Sequence, residues 1–174
     1  MANKQRWIGN IYGAQAPLIM KGLFQAGATE AVEVGDMLEF TADTNARFTR
    51  VDSDYNMATN GDLAIANEEI KSGDRAGYYQ VIVPRDGDIF EYDLDTASAL
   101  VHGTALYWSA DETLTATTGT AIIGYSVGQG HYPLFQGHLS EDNGPDRGET
   151  VRSTSVVHVM FRWTNSYLYR FQKS

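Results

Sequence analysis

Apolar and polar residues alternate with a period of two along much of this chain, the spacing of half-buried β-strands, and few segments show the period of an amphipathic helix. The clearest stretch is 103–127, where three short runs rich in β-branched and aromatic residues are separated by residues 109–112 and by Thr118-Gly119-Thr120. That spacing predicts an antiparallel three-strand meander. In its second run Leu114 and Ala116 alternate with Thr113, Thr115 and Thr117. In its third, Ile123, Tyr125 and Val127 share one face, while Ile122, Gly124 and Ser126 share the other. Residues 79–83 and 89–94 flank Pro84-Arg85-Asp86-Gly87-Asp88. Proline there sets one turn dihedral and glycine supplies a positive φ, so the segment predicts a hairpin with Phe90, Tyr92 and Leu94 facing inward. Residues 31–34 and 37–40 read as two strands around Gly35-Asp36, residues 47–51 as another, and Leu63-Ala64-Ile65-Ala66 as a short buried one. Asn67 is placed to cap one helical turn over 68–71, and Asp95 or Thr96 to cap a short helix over 96–102. A long strand over 155–163, with Val157, Val159, Phe161 and Trp163 on one face, closes the pattern.

Both ends depart from it. Residues 1–24 carry Trp7, Ile8, Ile11, Tyr12, Leu18, Ile19, Met20, Leu23 and Phe24 with neither strict alternation nor a helical stripe. They predict an extended N-terminal arm, lying either across its own domain or on a neighbouring subunit, since apolar termini seldom stay ordered alone. Fully burying one such side chain is worth roughly 1.5 to 3 kcal/mol, so anchoring a few can offset the cost of ordering the arm. Trp7, Ile8, Ile11, Tyr12, Leu18, Ile19 and Phe24 are therefore the candidate interface residues, with Trp7 and Tyr12 as anchors. Residues 128–150 form a polar, acidic loop longer than most connections, and the tail over 167–171 is aromatic and basic. The organisation expected is an arm at 1–24, one mainly β domain at 25–163 and a tail at 164–174. The fold class is a small antiparallel β-barrel or sandwich with at most two short helices.

Composition bounds the partners. A chain of 174 residues is one domain's worth, long enough to bury a single sizeable core. It has no cysteine, which removes disulfides and thiolate metal sites. The run from residue 7 to residue 20 is too polar for a signal peptide, and no stretch approaches a membrane span, so the expectation is a soluble protein made in the cytoplasm, with no membrane partner. A formal net charge of −9, with Lys and Arg scattered singly, repels a phosphate backbone and argues against direct nucleic-acid binding.

Candidate chemistry is sparse. Gly124-Tyr125-Ser126-Val127-Gly128 matches G-x-S-x-G, and Asp142 or Asp146 followed by His158 gives the order of a hydrolase triad. The motif needs a helix after the serine, and Gly128-Gln129-Gly130-His131-Tyr132-Pro133 cannot supply one. Asp52, Asp54 and Asn56 begin like a calcium loop, but Met57 stands where glycine is needed and Leu63 where a bidentate glutamate belongs. Glu141, Asp142 and Asp146 lack metal spacing, and His102, His131, His138 and His158 never pair on one element. His158, opposite the apolar face of its strand, reads as a hydrogen-bonded surface or interface histidine. No catalytic, cofactor-binding or metal-ligating residue is assigned, and no cofactor is expected.

Gly61-Asp62-Leu63-Ala64-Ile65-Ala66-Asn67-Glu68-Glu69-Ile70-Lys71-Ser72-Gly73-Asp74, Val81-Ile82-Val83-Pro84, Gly103-Thr104-Ala105-Leu106-Tyr107-Trp108 and Ile123-Gly124-Tyr125-Ser126-Val127 resemble the small β-barrel decoration, or cement, proteins of tailed-bacteriophage capsids. The resemblance implies a non-enzymatic structural protein of the virion, made in the host cytoplasm, that clamps neighbouring major-capsid subunits on the outer surface, commonly as a homotrimer. It carries over no catalytic residue, and it leaves the ends and the 128–150 loop without a family role. The alternative reading is a phage fibre subunit or a carbohydrate-binding β-sandwich, in which exposed tyrosines and Trp108 stack on sugars.

Overall fold

The computed structural model describes residues 6–24, 31–41, 47–51, 62–109, 113–119, 122–129, 132–133 and 155–169. In chain order the strands are β1 (Trp7–Asn10), β2 (Ile19–Phe24), β3 (Met37–Thr41), β4 (Arg47–Arg50), β5 (Leu63–Ala66), β6 (Gly77–Ile82), β7 (Asp88–Leu94), β8 (Ala105–Trp108), β9 (Thr113–Thr115), β10 (Ile122–Gln129), β11 (Tyr132–Pro133) and β12 (Val156–Phe161), followed by a 3-10 turn at Trp163–Asn165. The fold is mainly β and built from small closed barrels. The chain divides into two compact units, one of Met1–Arg6, Ala16–Asp86 and Trp163–Ser174, the other of Trp7–Gln15 and Gly87–Arg162.

In the first unit β2-β4-β3-β5-β6 close into a ring. All neighbours are antiparallel except β2 and β4, which run parallel and meet at Phe24 and Phe48. Alternate side chains fill the barrel: Phe24, Leu38, Phe48, Ala64, Ala66, Val81 and Val83 are buried together with Val32 and Ile70. Gly22 makes room for Phe48, because a Cβ at that position would lie 2.5 Å from the Phe48 Cδ2. Tyr167 covers the ring edge-on, its centroid 4.7 Å from Phe40 and 5.0 Å from Phe48. Its backbone N–H donates to the Leu63 carbonyl at 2.9 Å, so this part of the tail belongs to the barrel.

In the second unit β7-β12-β10-β8-β9 form the corresponding ring, closed by a parallel pairing of β9 with β7 at Thr113 and Leu114. Phe90, Tyr92, Leu94, Leu106, Leu114, Val157, Val159 and Phe161 are buried, and the Phe90 and Phe161 rings stack 4.9 Å apart. β1 adds to the edge of β7, and β11 pairs with β10.

The two rings share one wiring. β2, β3, β4, β5 and β6 correspond in order to β7, β8, β9, β10 and β12, with the same neighbours and the same parallel closing pair. The registers coincide through most of the shared pairings, departing at the bulges of β10 between Ile122 and Gly124 and between Ser126 and Gly128. Phe24 opposite Phe48 matches Leu94 opposite Leu114, Leu38 opposite Ala64 matches Leu106 opposite Gly124, and Ala66 opposite Val81 matches Ser126 opposite Val159. The connecting turns repeat as well. The Gly35 N–H donates to Ala66 O and the Ala66 N–H to Asp36 O, just as the Gly103 N–H donates to Ser126 O and the Ser126 N–H to Thr104 O, all within 2.7–2.9 Å. Gly35 and Gly103 both take positive φ, 101° and 87°, a region in which a Cβ is costly. In the sequence this repeat survives as Gly35-Asp36-Met37-Leu38-Glu39-Phe40-Thr41-Ala42-Asp43 against Gly103-Thr104-Ala105-Leu106-Tyr107-Trp108-Ser109-Ala110-Asp111.

Several local expectations change. The turn at 84–88 forms, with Gly87 at φ 79°, but β6 and β7 do not pair. β6 lies between β2 and β5, and β7 lies between β12 and the pair β1 and β9. The meander is rewired, with β8 between β9 and β10, because the third strand of each ring must return to the first to close it. Residues 68–71 form a bend and a bridge to Val32 rather than a helical turn, and 96–102 form no helix. Residues 7–10 and 19–24, read from sequence as parts of one arm, are the strands β1 and β2. Residues 25–163, read as one domain, contribute to both units.

Candidate interaction surface

The most exposed apolar feature of the second unit's N-terminal segment is the turn that follows β1. Asn10 opens it: the Gly13 N–H donates to the Asn10 carbonyl at 3.0 Å and the Tyr12 N–H to Asn10 Oδ1 at 2.8 Å. Asparagine is favoured at the first position of such turns because its side chain can take a backbone N–H, and glycine at the fourth. Gly13 accordingly sits at φ 86°. The turn leaves Ile11 42% and Tyr12 72% exposed.

Gly87 and Asp88 hold it in place. Asp88, at the start of β7, is buried and accepts from Trp7 Nε1 at 3.1 Å and from Asn10 Nδ2 at 2.8 Å. The Ile11 N–H donates to the Gly87 carbonyl at 3.0 Å. Gly87 lets the side chains settle on bare backbone, since a Cβ there would lie 2.6 Å from Ile11 Cγ1 and 2.8 Å from the Tyr12 ring. An aliphatic and an aromatic side chain are thus presented on a turn whose backbone is already fixed. Little conformational freedom is left to lose on binding, which favours affinity.

The seven candidate interface residues separate. Trp7 and Ile8 are half-buried on β1, and Ile11 and Tyr12 project from the turn. Leu18 packs against the first barrel's core, and Phe24 is 4% exposed inside it, which corrects its place as an interface residue. Alternation explains this: Phe24 points inward on β2, whereas Ile19, on the other face, is 46% exposed. Asn10, Gly87 and Asp88 went unread as functional positions. The Asn10-Ile11-Tyr12-Gly13 spacing was the available signal for the turn, but no local signal pairs Asp88 with Trp7 across the chain.

The motifs with possible chemistry are also placed. Gly124-Tyr125-Ser126-Val127-Gly128 lies within β10, and Ser126 is buried in the position that Ala66 fills in the other ring. The strand continues beyond Ser126 to Gln129, so among the described residues no strand-to-helix elbow surrounds it. His158, expected to be a hydrogen-bonded surface or interface histidine, is buried within its own unit and has Nε2 3.2 Å from Glu91 Oε2 on the adjacent strand, while His102 is exposed. Residues 52–56, His131, His138, Glu141, Asp142 and Asp146 lie outside the described residues. Among the described residues no group of three or more His, Cys, Asp or Glu side chains is placed to hold a metal ion, and no helix is long and apolar enough to cross a membrane.

No protein-family model, curated protein or solved structure matches the chain.

Proposed function

We propose that the chain is a non-enzymatic structural protein of a tailed-bacteriophage virion, a decoration or cement protein that binds the outside of the capsid and bridges neighbouring copies of the major capsid protein. The observation that carries the docking role is the braced turn with Ile11 and Tyr12 exposed above Gly87. The resemblance over residues 61–127 supplies the identity of the partner. Two closed rings support it further, since a clamp under load needs elements without freely slipping strands. A net charge of −9 suits an outer surface without contact to packaged DNA. The assembly that fits this reading is a homotrimer around a local threefold axis.

The test is co-sedimentation of the purified protein with undecorated tailed-phage heads. Saturation at a fixed ratio to the major capsid protein is expected. A chain that stays in the supernatant at every concentration rules the reading out. Light scattering on the free and head-eluted protein decides the assembly: a trimer mass is expected, and a monomer from both sources contradicts it.

A further inference from the structure

The shared wiring of the rings exposes one difference between them. In β2 the pairing with β6 uses alternate residues. Leu18 accepts from the Val83 N–H at 2.9 Å, so in this register Leu18, Met20, Gly22 and Phe24 turn their backbone groups toward β6. Ile19, Lys21 and Leu23 turn theirs to the opposite edge. On that edge β4 reaches only Phe24. In the second ring the residue equivalent to Ile19 is Ile89, whose outward backbone groups face Gly9 of β1, and the pairing continues with the Ile11 N–H on the Gly87 carbonyl. Among the described residues nothing takes the place of β1 beside Ile19 and Lys21.

We propose that this edge of β2 is a strand-addition site: an extended segment of the partner protein pairs antiparallel with Ile19-Met20-Lys21, as β1 pairs with β7. The occupant's chemistry follows from β1 and from the edge. It is short, extended and led by an aromatic or aliphatic residue, to lie against Ile19, which is 46% exposed. An acidic residue faces Lys21, which is exposed on the same side of the strand. The chain's own β1 is engaged with β7 through Trp7 and Asp88, so the β1 of a second copy is not the occupant, and the acidic residue that Lys21 calls for points to a strand of the partner. Strand addition draws its affinity from main-chain hydrogen bonds and its selectivity from the alternating side chains. A lysine on an unpaired edge is also what discourages indiscriminate pairing.

The inference extends the docking reading to a second surface, and its test uses no capsid, so either can fail alone. The probe is a capped peptide of sequence Glu-Trp-Ile-Gly-Asn-Ile-Tyr-Gly, that of residues 6–13 with glutamate in place of Arg6 so that an acidic residue falls opposite Lys21, added to the full-length, isotope-labelled chain while amide hydrogen exchange is followed residue by residue. Saturating peptide should slow exchange of the Ile19 and Lys21 N–H groups about tenfold or more, the scale of one added hydrogen bond. The same peptide N-methylated on alternate backbone nitrogens should protect neither. Lys21→Pro removes an outward N–H and leaves the β6 pairing intact, as edge positions tolerate proline; this chain should keep its melting temperature and lose the protection. Slow exchange at Ile19 and Lys21 without peptide would mean that the chain covers its own edge, and overturns the proposal. So does an unmethylated peptide that protects neither residue, or a methylated one that protects both.

Discussion

Gly22 and Phe48 in one ring correspond to Tyr92 and Leu114 in the other. One barrel uses no side chain beside a large ring, and the other a large ring beside a smaller aliphatic, so each fills the same interior by a different division of volume. Gly22→Ala therefore forces a Cβ to within 2.5 Å of the Phe48 ring and should cost about 1–3 kcal/mol, read as a lower denaturation midpoint. Adding Phe48→Leu, the residue the second ring uses, should recover part of that loss. A fully additive double variant would contradict the packing argument. Asp88→Ala removes the acceptor for Trp7 Nε1 and Asn10 Nδ2 and should cost about 1–3 kcal/mol, with a red-shifted Trp7 emission in a chain where Trp108 and Trp163 are replaced by phenylalanine. Ser126 illustrates what residue-level reading resolves. A five-residue match invites a nucleophile, whereas the equivalence with Ala66 identifies a position where the ring needs a small side chain.

Elements were legible where a strand's pattern depends only on its own residues. Phe90, Tyr92 and Leu94 on β7 and Val157, Val159 and Phe161 on β12 face inward as their alternation requires. Pairing was not legible, because turn chemistry fixes a reversal of the backbone but not the neighbour of each strand. The Pro84–Asp88 segment has every local mark of a hairpin and yet joins strands of two different rings. β10 misled for another reason: bulges between Ile122 and Gly124 and between Ser126 and Gly128 break the period of two, so the inward face passes to Gly124 and Ser126. The repeat was present in the sequence at 35–43 and 103–111, but only a handful of those positions agree, and its force comes from the registers. One element-level substitution is distinctive. Val32 and Ile70 exchange backbone hydrogen bonds in the first ring, while in the second the Gln129 side chain takes the Leu100 N–H at 2.7 Å and donates to the Ser98 carbonyl at 2.8 Å. Gln129→Leu should cost on the order of 1 kcal/mol and speed exchange at Leu100, with Val32 unchanged. Unaltered exchange at Leu100 would remove the amide's role.

At the scale of the whole molecule, the chain offers two rings of one design, an acidic overall charge and an apolar turn held rigid by a buried carboxylate. The sequence named Ile11 and Tyr12 among seven apolar interface candidates, and the structure leaves both exposed. The brace that holds their turn became visible only in three dimensions, because Asp88 lies far along the chain from Trp7 and Asn10. The most direct measurement is a binding isotherm on undecorated phage heads for the full chain and for Ile11→Ser/Tyr12→Ser, compared with the melting temperature of each. Both side chains are exposed and neither belongs to a core, so the two proteins should melt alike. The native chain should saturate the heads, and the variant should bind about tenfold or more weakly, as expected when exposed aromatic anchors are removed. Equal isotherms for the two proteins would contradict the assignment of this turn as the docking contact.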